Sequence, residues 1–178
     1  GWMLEEQKAS LDSWIVAVGQ GDIDALEALY CRTKGAVYAM ALSLCQNPQD
    51  AEDVLQDTYI QVYCSAKDYQ PQGKAMPWLM TIARNQALMG LRKRKRAVDL
   101  TPEEWEQALP APPEGESRLA LEAVLSGLSG EEQQIVMLHA VAGLKHREIG
   151  VMLKLPLSTV ISKYNRALKK LRQQLEEE

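Results

Sequence analysis

Three carboxylates, Asp50, Asp53 and Asp57, recur at steps of three and four, with Glu52 and Gln56 beside them. On a helix that spacing puts the three on one face. Carboxylates so placed could exchange protons with a substrate, dock a basic partner, or simply face water. Ala51, Leu55, Tyr59 and Val62 repeat at helical spacing on the other side of the same stretch, so the acids are expected on an outer surface rather than in a pocket. A docking face or a solvated face therefore stands ahead of catalysis.

A second group follows it. Tyr69, Lys74 and Trp78 surround the polar stretch 68–76, DYQPQGKAM, and the segment after it carries Arg84, Asn85 and the unbroken basic run from Arg92 to Arg96, with Lys93 and Arg94 within it. Aromatic rings beside cations suit single-stranded nucleic acid, whose bases stack and whose phosphates pair. Tyr69 and Trp78 could equally be core residues, and a polybasic run could serve as a localisation or membrane-surface signal.

The third group is HREIGVMLKLPLSTVISKYNR, residues 146–166. Gly150, Lys154 and Val160 fit a helix-turn-helix: a small residue where two helices touch, a turn residue, and an apolar residue seating the second helix. Thr159, Ser162, Lys163, Arg166 and Lys170 fall opposite the apolar Val160, Ala167, Leu171 and Leu175. Hydroxyls and long cations on one helix face suit base edges and phosphates in a major groove. A helical hairpin with a solvated basic face is the plainer alternative. Ser158 is positioned to cap the second helix, and Lys154 stands where glycine is favoured. A left-handed residue other than glycine costs about 1 kcal/mol or more, so a strained or rewound turn is expected at Lys154–Leu155.

Charge is distributed unevenly over these groups. The net charge of −4 conceals eight Lys/Arg against one acid in residues 145–172, and six acids with no base in residues 97–117. Local charge governs nucleic-acid binding, so the acidic total does not exclude it. Three cysteines at spacings unlike any zinc pattern, and two histidines, give no metal expectation. No cofactor is implied, and there is no nucleophile–base constellation or glycine-rich phosphate loop. No apolar run nears the ~20 residues of a membrane span, and no basic-then-apolar leader is present. A cytoplasmic chain with reduced thiols is expected.

The elements that must hold these groups are helices. Leu11, Trp14, Ile15 and Val18 form one stripe, and Ile23, Leu26, Tyr30, Thr33, Val37, Met40 and Leu44 form a longer one. Asn47-Pro48-Gln49-Asp50 reads as cap, first-turn proline and first-turn acid. Pro77 opens a further helix with Trp78, Ile82, Asn85 and Met89 on one face. Residues 97–117 are proline-rich and acidic, a linker in which Thr101-Pro102-Glu103-Glu104 could cap a short helix. Helical stripes resume with Leu121, Val124, Leu125 and Leu128, and Ser129-Gly130-Glu131-Glu132 is a second capping box. No strand pattern is found. The expectation is an all-α chain: an N-terminal bundle over 1–96, a linker over 97–117, and a helix-turn-helix domain over 118–178.

Taken together, NPQDAEDVLQDTYIQVY, PWLMTIARNQALMGLRKRKR and PLSTVISKYNRA, in that order, resemble the extracytoplasmic-function sigma factors of the bacterial sigma-70 superfamily. The resemblance spans about residues 10–175. It implies that Asp50, Glu52, Asp53, Gln56 and Asp57 dock on core RNA polymerase. Tyr69, Lys74, Trp78, Arg84, Asn85, Arg92, Lys93 and Arg94 would capture the melted −10 element. His146, Arg147, Ser158, Thr159, Ser162, Lys163, Arg166 and Lys170 would read the −35 duplex. The implied protein is a promoter-specificity subunit, not an enzyme. It would be a monomer when free and answer to a separate anti-sigma factor, with no membrane insertion. The acidic linker then resembles the family's connector, kept negative so as not to cling to the DNA. Ile161 departs from the pattern where a cation is common, and Lys154 where glycine is usual. The two domains are expected to close loosely on one another in the free protein. The alternative is a helix-turn-helix regulator with an N-terminal sensor bundle.

Overall fold

The computed structural model describes residues 2–96 and 126–176, and every regular element among them is helical. Four helices form the first half: α1 (Trp2–Gly19), α2 (Ile23–Cys45), α3 (Pro48–Ser65) and α4 (Ala75–Arg96), with a 3₁₀ turn over Ala66–Asp68. The second half holds α5 (Gly130–Val136), a π-helical turn (Met137–Val141), α6 (His146–Leu153) and α7 (Leu157–Glu176). The linker expected over 97–117, its short helix and the Leu121–Leu125 stripe lie outside the described residues.

Local chemistry explains where the helices start. Asp22 accepts the Ala25 N–H at 3.1 Å and opens α2. Asn47 does the same for Asp50 at 3.1 Å, with Pro48 in the first turn. Ser129 and Glu132 form the expected reciprocal box, each side chain accepting a backbone N–H of the other residue. α4 begins at Ala75, two residues earlier than Pro77 implied. Proline is tolerated there because first-turn N–H groups have no intrahelical partner.

The core of the first half is built on Leu11, Ile15, Val18, Leu29, Val37, Met40, Tyr59, Val62, Leu79 and Met80. Inside it Thr33 donates to the Leu29 carbonyl at 2.7 Å and meets the Tyr59 hydroxyl at 2.6 Å. Burial pushes the Tyr59 phenol well above its ordinary pKa. Gly19 is required where α1 ends, since a Cβ there would stand 2.9 Å from the Ala66 carbonyl oxygen.

Three expected apolar positions lie elsewhere. Ile23 is 60% exposed and Leu175 69% exposed. On α4 the buried stripe is Leu79, Met80, Ala83 and Ala87, while Asn85 and Met89 face outward and Trp78 and Ile82 are half-buried. Alanines let α4 approach its neighbours closely, so the helix is turned about one position from the stripe drawn through its larger side chains.

The two halves pack directly on each other. Residues 36–45, AVYAMALSLC, carry no charge, and Ala39, Met40, Ala41, Leu42, Ser43 and Cys45 are all buried. A helix buried all round must have a neighbour on every side. The second neighbour is the start of the C-terminal half, where Leu128, Val136 and Met137 join Ala39, Ala41, Leu42 and Cys45 in one apolar cluster. This seam is closer than the loose closure expected from sequence.

Candidate nucleic-acid and protein interfaces

On α3 the cap at Asn47 sets the register, and Asp53, Gln56 and Asp57 are exposed, with Asp50 and Glu52 half-buried. Asp50, Asp53 and Asp57 line one wall of a cleft whose other wall is α4, with Gln86, Met89 and Lys93. The structure thus brings a cation of the basic run beside the acid row, which spacing alone could not show. Next to it lies a hollow lined by Ile23, Leu26, Gln56, Tyr59, Ile60 and Tyr63, with Ile60 64% exposed. Gln56 borders the hollow from the acidic face. Sequence reasoning missed Ile60, although its position four residues after Gln56 puts it on the same outer surface.

The segment between α3 and α4 is held by one side chain of α1. The Tyr69 hydroxyl donates to Asp12, and the Gly73 N–H donates to the other Asp12 oxygen at 2.7 Å. Burial, then the Asp12 bond and charge, push the Tyr69 phenol well above its ordinary pKa. Its ring is buried and tilted against Trp78, centroids 4.9 Å apart. Tyr69 therefore positions the loop from beneath, and half-buried Trp78 is the ring of the pair with an accessible edge. Lys74, Asn85, Arg92 and Lys93 are exposed. Arg84 is half-buried, its Nε donating to Gln134 of α5 at 3.5 Å. Arg94 lies on α4, its side chain outside the described ones.

In the C-terminal half, Gly150 allows α6 and the turn to touch: a Cβ there would lie 2.8 Å from the Leu155 carbonyl oxygen. Lys154 adopts φ 58°, ψ 46°, the left-handed turn expected of it, and the Leu155 N–H closes on Gly150 O at 2.9 Å. α7 starts at Leu157, with Pro156 O accepting the Thr159 and Val160 N–H groups at 3.0 and 3.1 Å. Ser158 thus stands within the first turn instead of capping it, because the proline carbonyl already occupies the start of the ladder. Val160 and Ala167 are buried beneath.

The opposite side of α7 forms a concave face lined by Ser158, Thr159, Ser162, Lys163 and Arg166. Arg166 and, on α6, Arg147 are exposed. Lys163 Nζ meets the Glu131 carboxylate at 2.6 Å, and Lys170 Nζ meets Glu132 at 2.8 Å. Burial would raise the Glu132 pKa, but the Lys170 hydrogen bond, the Ser129 bonds and the Lys170 charge outweigh it and hold the carboxyl at about 2. His146 stands apart. Its ring stacks on His139 with centroids 4.0 Å apart, Tyr164 lies against both, and its Nδ1 is buried without a hydrogen-bond partner. Burial, then the neighbouring His139, hold it below the ordinary histidine pKa. Among the described residues no group of three His, Cys, Asp or Glu side chains could hold a metal ion, and no helix is long and apolar enough to cross a membrane.

Comparison with known proteins agrees with this layout. Residues 29–97 match the model of sigma-70 region 2, and residues 118–171 that of sigma-70 region 4. The ECF RNA polymerase sigma factor SigE of Mycolicibacterium smegmatis is 37% identical over 147 residues, covering 78% of this chain and 57% of SigE. The chain therefore spans little more than half of that relative. The RNA polymerase sigma factor CarQ of Myxococcus xanthus is 33% identical over 162 residues, 88% of this chain and 92% of CarQ. Among solved structures, the sigma factor RpoE of Bartonella quintana, in complex with the anti-sigma factor NepR, superposes with a TM-score of 0.65 at 22% identity, covering 84% of this chain and 96% of RpoE. At that identity the likeness speaks for the fold.

Proposed function

This chain belongs to the sigma-70 family, in its extracytoplasmic-function branch, and from that premise we propose that it is a promoter-specificity subunit of bacterial RNA polymerase. The observation that carries the reading is the turn at Lys154–Leu155 beneath α7, which presents Ser158, Thr159, Ser162, Lys163 and Arg166 on one concave face. Hydroxyls and cations there read the −35 duplex. Lys74, Trp78, Asn85, Arg92 and Lys93, with Arg84 once Gln134 releases it, take the unpaired −10 strand. Tyr69 acts on that strand by positioning the loop.

The acid row of α3 and the apolar hollow beside it make one protein-docking surface. Exposed apolar side chains rimmed by charge mark interfaces, and core polymerase is the partner. The protein works by binding energy alone, with no chemical step of its own, in the cytoplasm. An anti-sigma factor, such as NepR is for RpoE, is the expected separate antagonist.

Two variants separate the surfaces. Arg166→Ala should weaken duplex binding and leave core binding intact, and Asp53→Lys should do the reverse. Titration with bacterial core polymerase, followed by run-off transcription from a promoter library, reads both. If the two variants lost the same activity equally, the division would be wrong. Tight duplex binding with no affinity for core would make the chain an ordinary regulator instead.

A further inference from the structure

Helix α5, GEEQQIV, reaches three of the cations assigned above to DNA. Glu131 holds Lys163, Glu132 holds Lys170, and Gln134 accepts from Arg84. The three contacts differ in kind. Glu132 is buried and its Oε1 accepts both the Ser129 N–H and Lys170, so Lys170 serves the fold by pairing its charge, while Oε2 has no hydrogen-bond partner. Gln134 to Arg84, at 3.5 Å, is long for a hydrogen bond.

Glu131 is different. It takes no part in the capping box, which Ser129 and Glu132 complete between themselves. Its side chain is 40% exposed, and the Lys163 side chain it grips is 31% exposed and lines the concave face of α7. A carboxylate gripping a recognition-helix ammonium does what a DNA phosphate would do. A first-turn acid also interacts favourably with the helix dipole, but Glu132 supplies such an acid already.

We infer that Glu131 is an internal competitor for the phosphate backbone: it occupies Lys163 in the free chain and lowers its affinity for duplex DNA. The inference rests on the proposal that α7 reads the −35 duplex. A ligand entering that face must displace the carboxylate from Lys163 or leave the cation unused. It also meets one negative charge it would otherwise be spared. Exposed ion pairs are weak and screened by salt, so the effect is graded and strongest at low ionic strength.

The test uses the full chain and a mixed-sequence duplex of about 30 base pairs, titrated over a range of salt. Glu131→Gln should bind about two- to five-fold more tightly at low salt. The slope of log affinity against log salt should steepen by up to about 0.9, as one more cation is released to the DNA. Its thermal midpoint should stay near that of the wild type. A cycle with Lys163→Ala separates the outcomes. Loss of the gain in the Lys163→Ala background supports the inference. An equal gain in both backgrounds reduces the effect to general charge removal and overturns it. Unchanged or weaker binding of Glu131→Gln, while Lys163→Ala alone weakens binding, overturns it and leaves the −35 reading standing. No effect of Lys163→Ala would remove Lys163 from the DNA face, and the inference with it.

Discussion

Glu132 offers a sharp test of how the helix-turn-helix is held together. Its carboxylate is buried, caps α5 by accepting the Ser129 N–H at 2.9 Å, and meets Lys170 of α7 at 2.8 Å. Its pKa falls from 4.5 to about 2 in the folded chain. A depressed folded pKa means that the folded form binds the carboxylate's proton less readily than the unfolded chain does. The resulting stability is complete above pH 4.5 and is lost as pH falls toward about 2. At ~1.36 kcal/mol per unit the shift corresponds to about 3 kcal/mol as an upper bound. Lys170 is 43% exposed, so solvent screens the pair, and about 1–2 kcal/mol is the working figure. Glu132→Gln is the suitable variant, because glutamine also completes a capping box and leaves the packing intact while removing the charge. Urea unfolding of both proteins at about pH 6 and about pH 3 gives the comparison. The wild type should exceed the variant by about 1–2 kcal/mol at the higher pH, and the gap should shrink by about half or more at the lower. Parallel pH profiles would refute the reasoning and show that Lys170 contributes nothing through Glu132.

Gly150→Ala should cost about 1–2 kcal/mol, since strain against the Leu155 carbonyl, 2.8 Å from the new Cβ, outweighs the better helix propensity. Its duplex affinity should fall further than its stability, as the angle between α6 and α7 opens. Lys154→Gly should do the opposite, stabilising the domain by up to about 1 kcal/mol by relieving the residue at φ 58°. An unchanged or lower melting temperature would count against strain at that turn. In the first half, Tyr59→Phe should cost about 1 kcal/mol, because Thr33 keeps its bond to Leu29. Thr33→Val should cost more, up to about 3 kcal/mol, since it strands the buried Tyr59 hydroxyl. Chemical denaturation of the pair checks the order.

The features legible in the sequence were those set by neighbours along the chain. Asn47 before Pro48, Ser129 before Glu132 and the Gly150–Lys154–Val160 spacing each act within a few residues, and each is found doing what its spacing implied. What escaped was set across the chain. The face of α4 was misjudged because Ala83 and Ala87 carry little hydrophobic signal yet sit at its closest contacts. Tyr69 read as a stacking platform because its partner Asp12 is 57 residues away. Lys163 and Lys170 read as free cations because their carboxylates lie on α5, more than thirty positions upstream. The uncharged run 36–45 was the one long-range signal in plain view. The single-face stripe drawn through Val37, Met40 and Leu44 passed over it, and the burial of Ala39, Ala41 and Leu42 as well shows a second neighbour, the C-terminal half.

Two restraints therefore act on the faces proposed to bind DNA, and they differ in physics. The seam between α2 and the start of the C-terminal half is apolar, made by Ala39, Leu42, Leu128, Val136 and Met137. Arg84 Nε also reaches Gln134 across the halves at 3.5 Å, but the apolar contacts of the seam are hardly touched by salt and are weakened by cooling. Any partner that must part α4 from α5 binds with its intrinsic affinity reduced by the fraction of chains already open. The Glu131–Lys163 pair is the reverse: exposed, ionic and screened within a Debye length. On the proposed reading, half-buried Arg84 is held beside the seam by Gln134, whereas release of Lys163 to a duplex needs only an exposed side chain to turn. On that reading, the concave face of α7 is therefore the one that the closed chain can still present to a duplex. Ala51 and Val54 of α3 belong to the same apolar cluster as the seam, and Cys45 and Val54 also line the cleft of the acid row, so the docking surface proposed for core polymerase backs directly onto the seam. A partner bound on that surface is placed to act on the seam through α3.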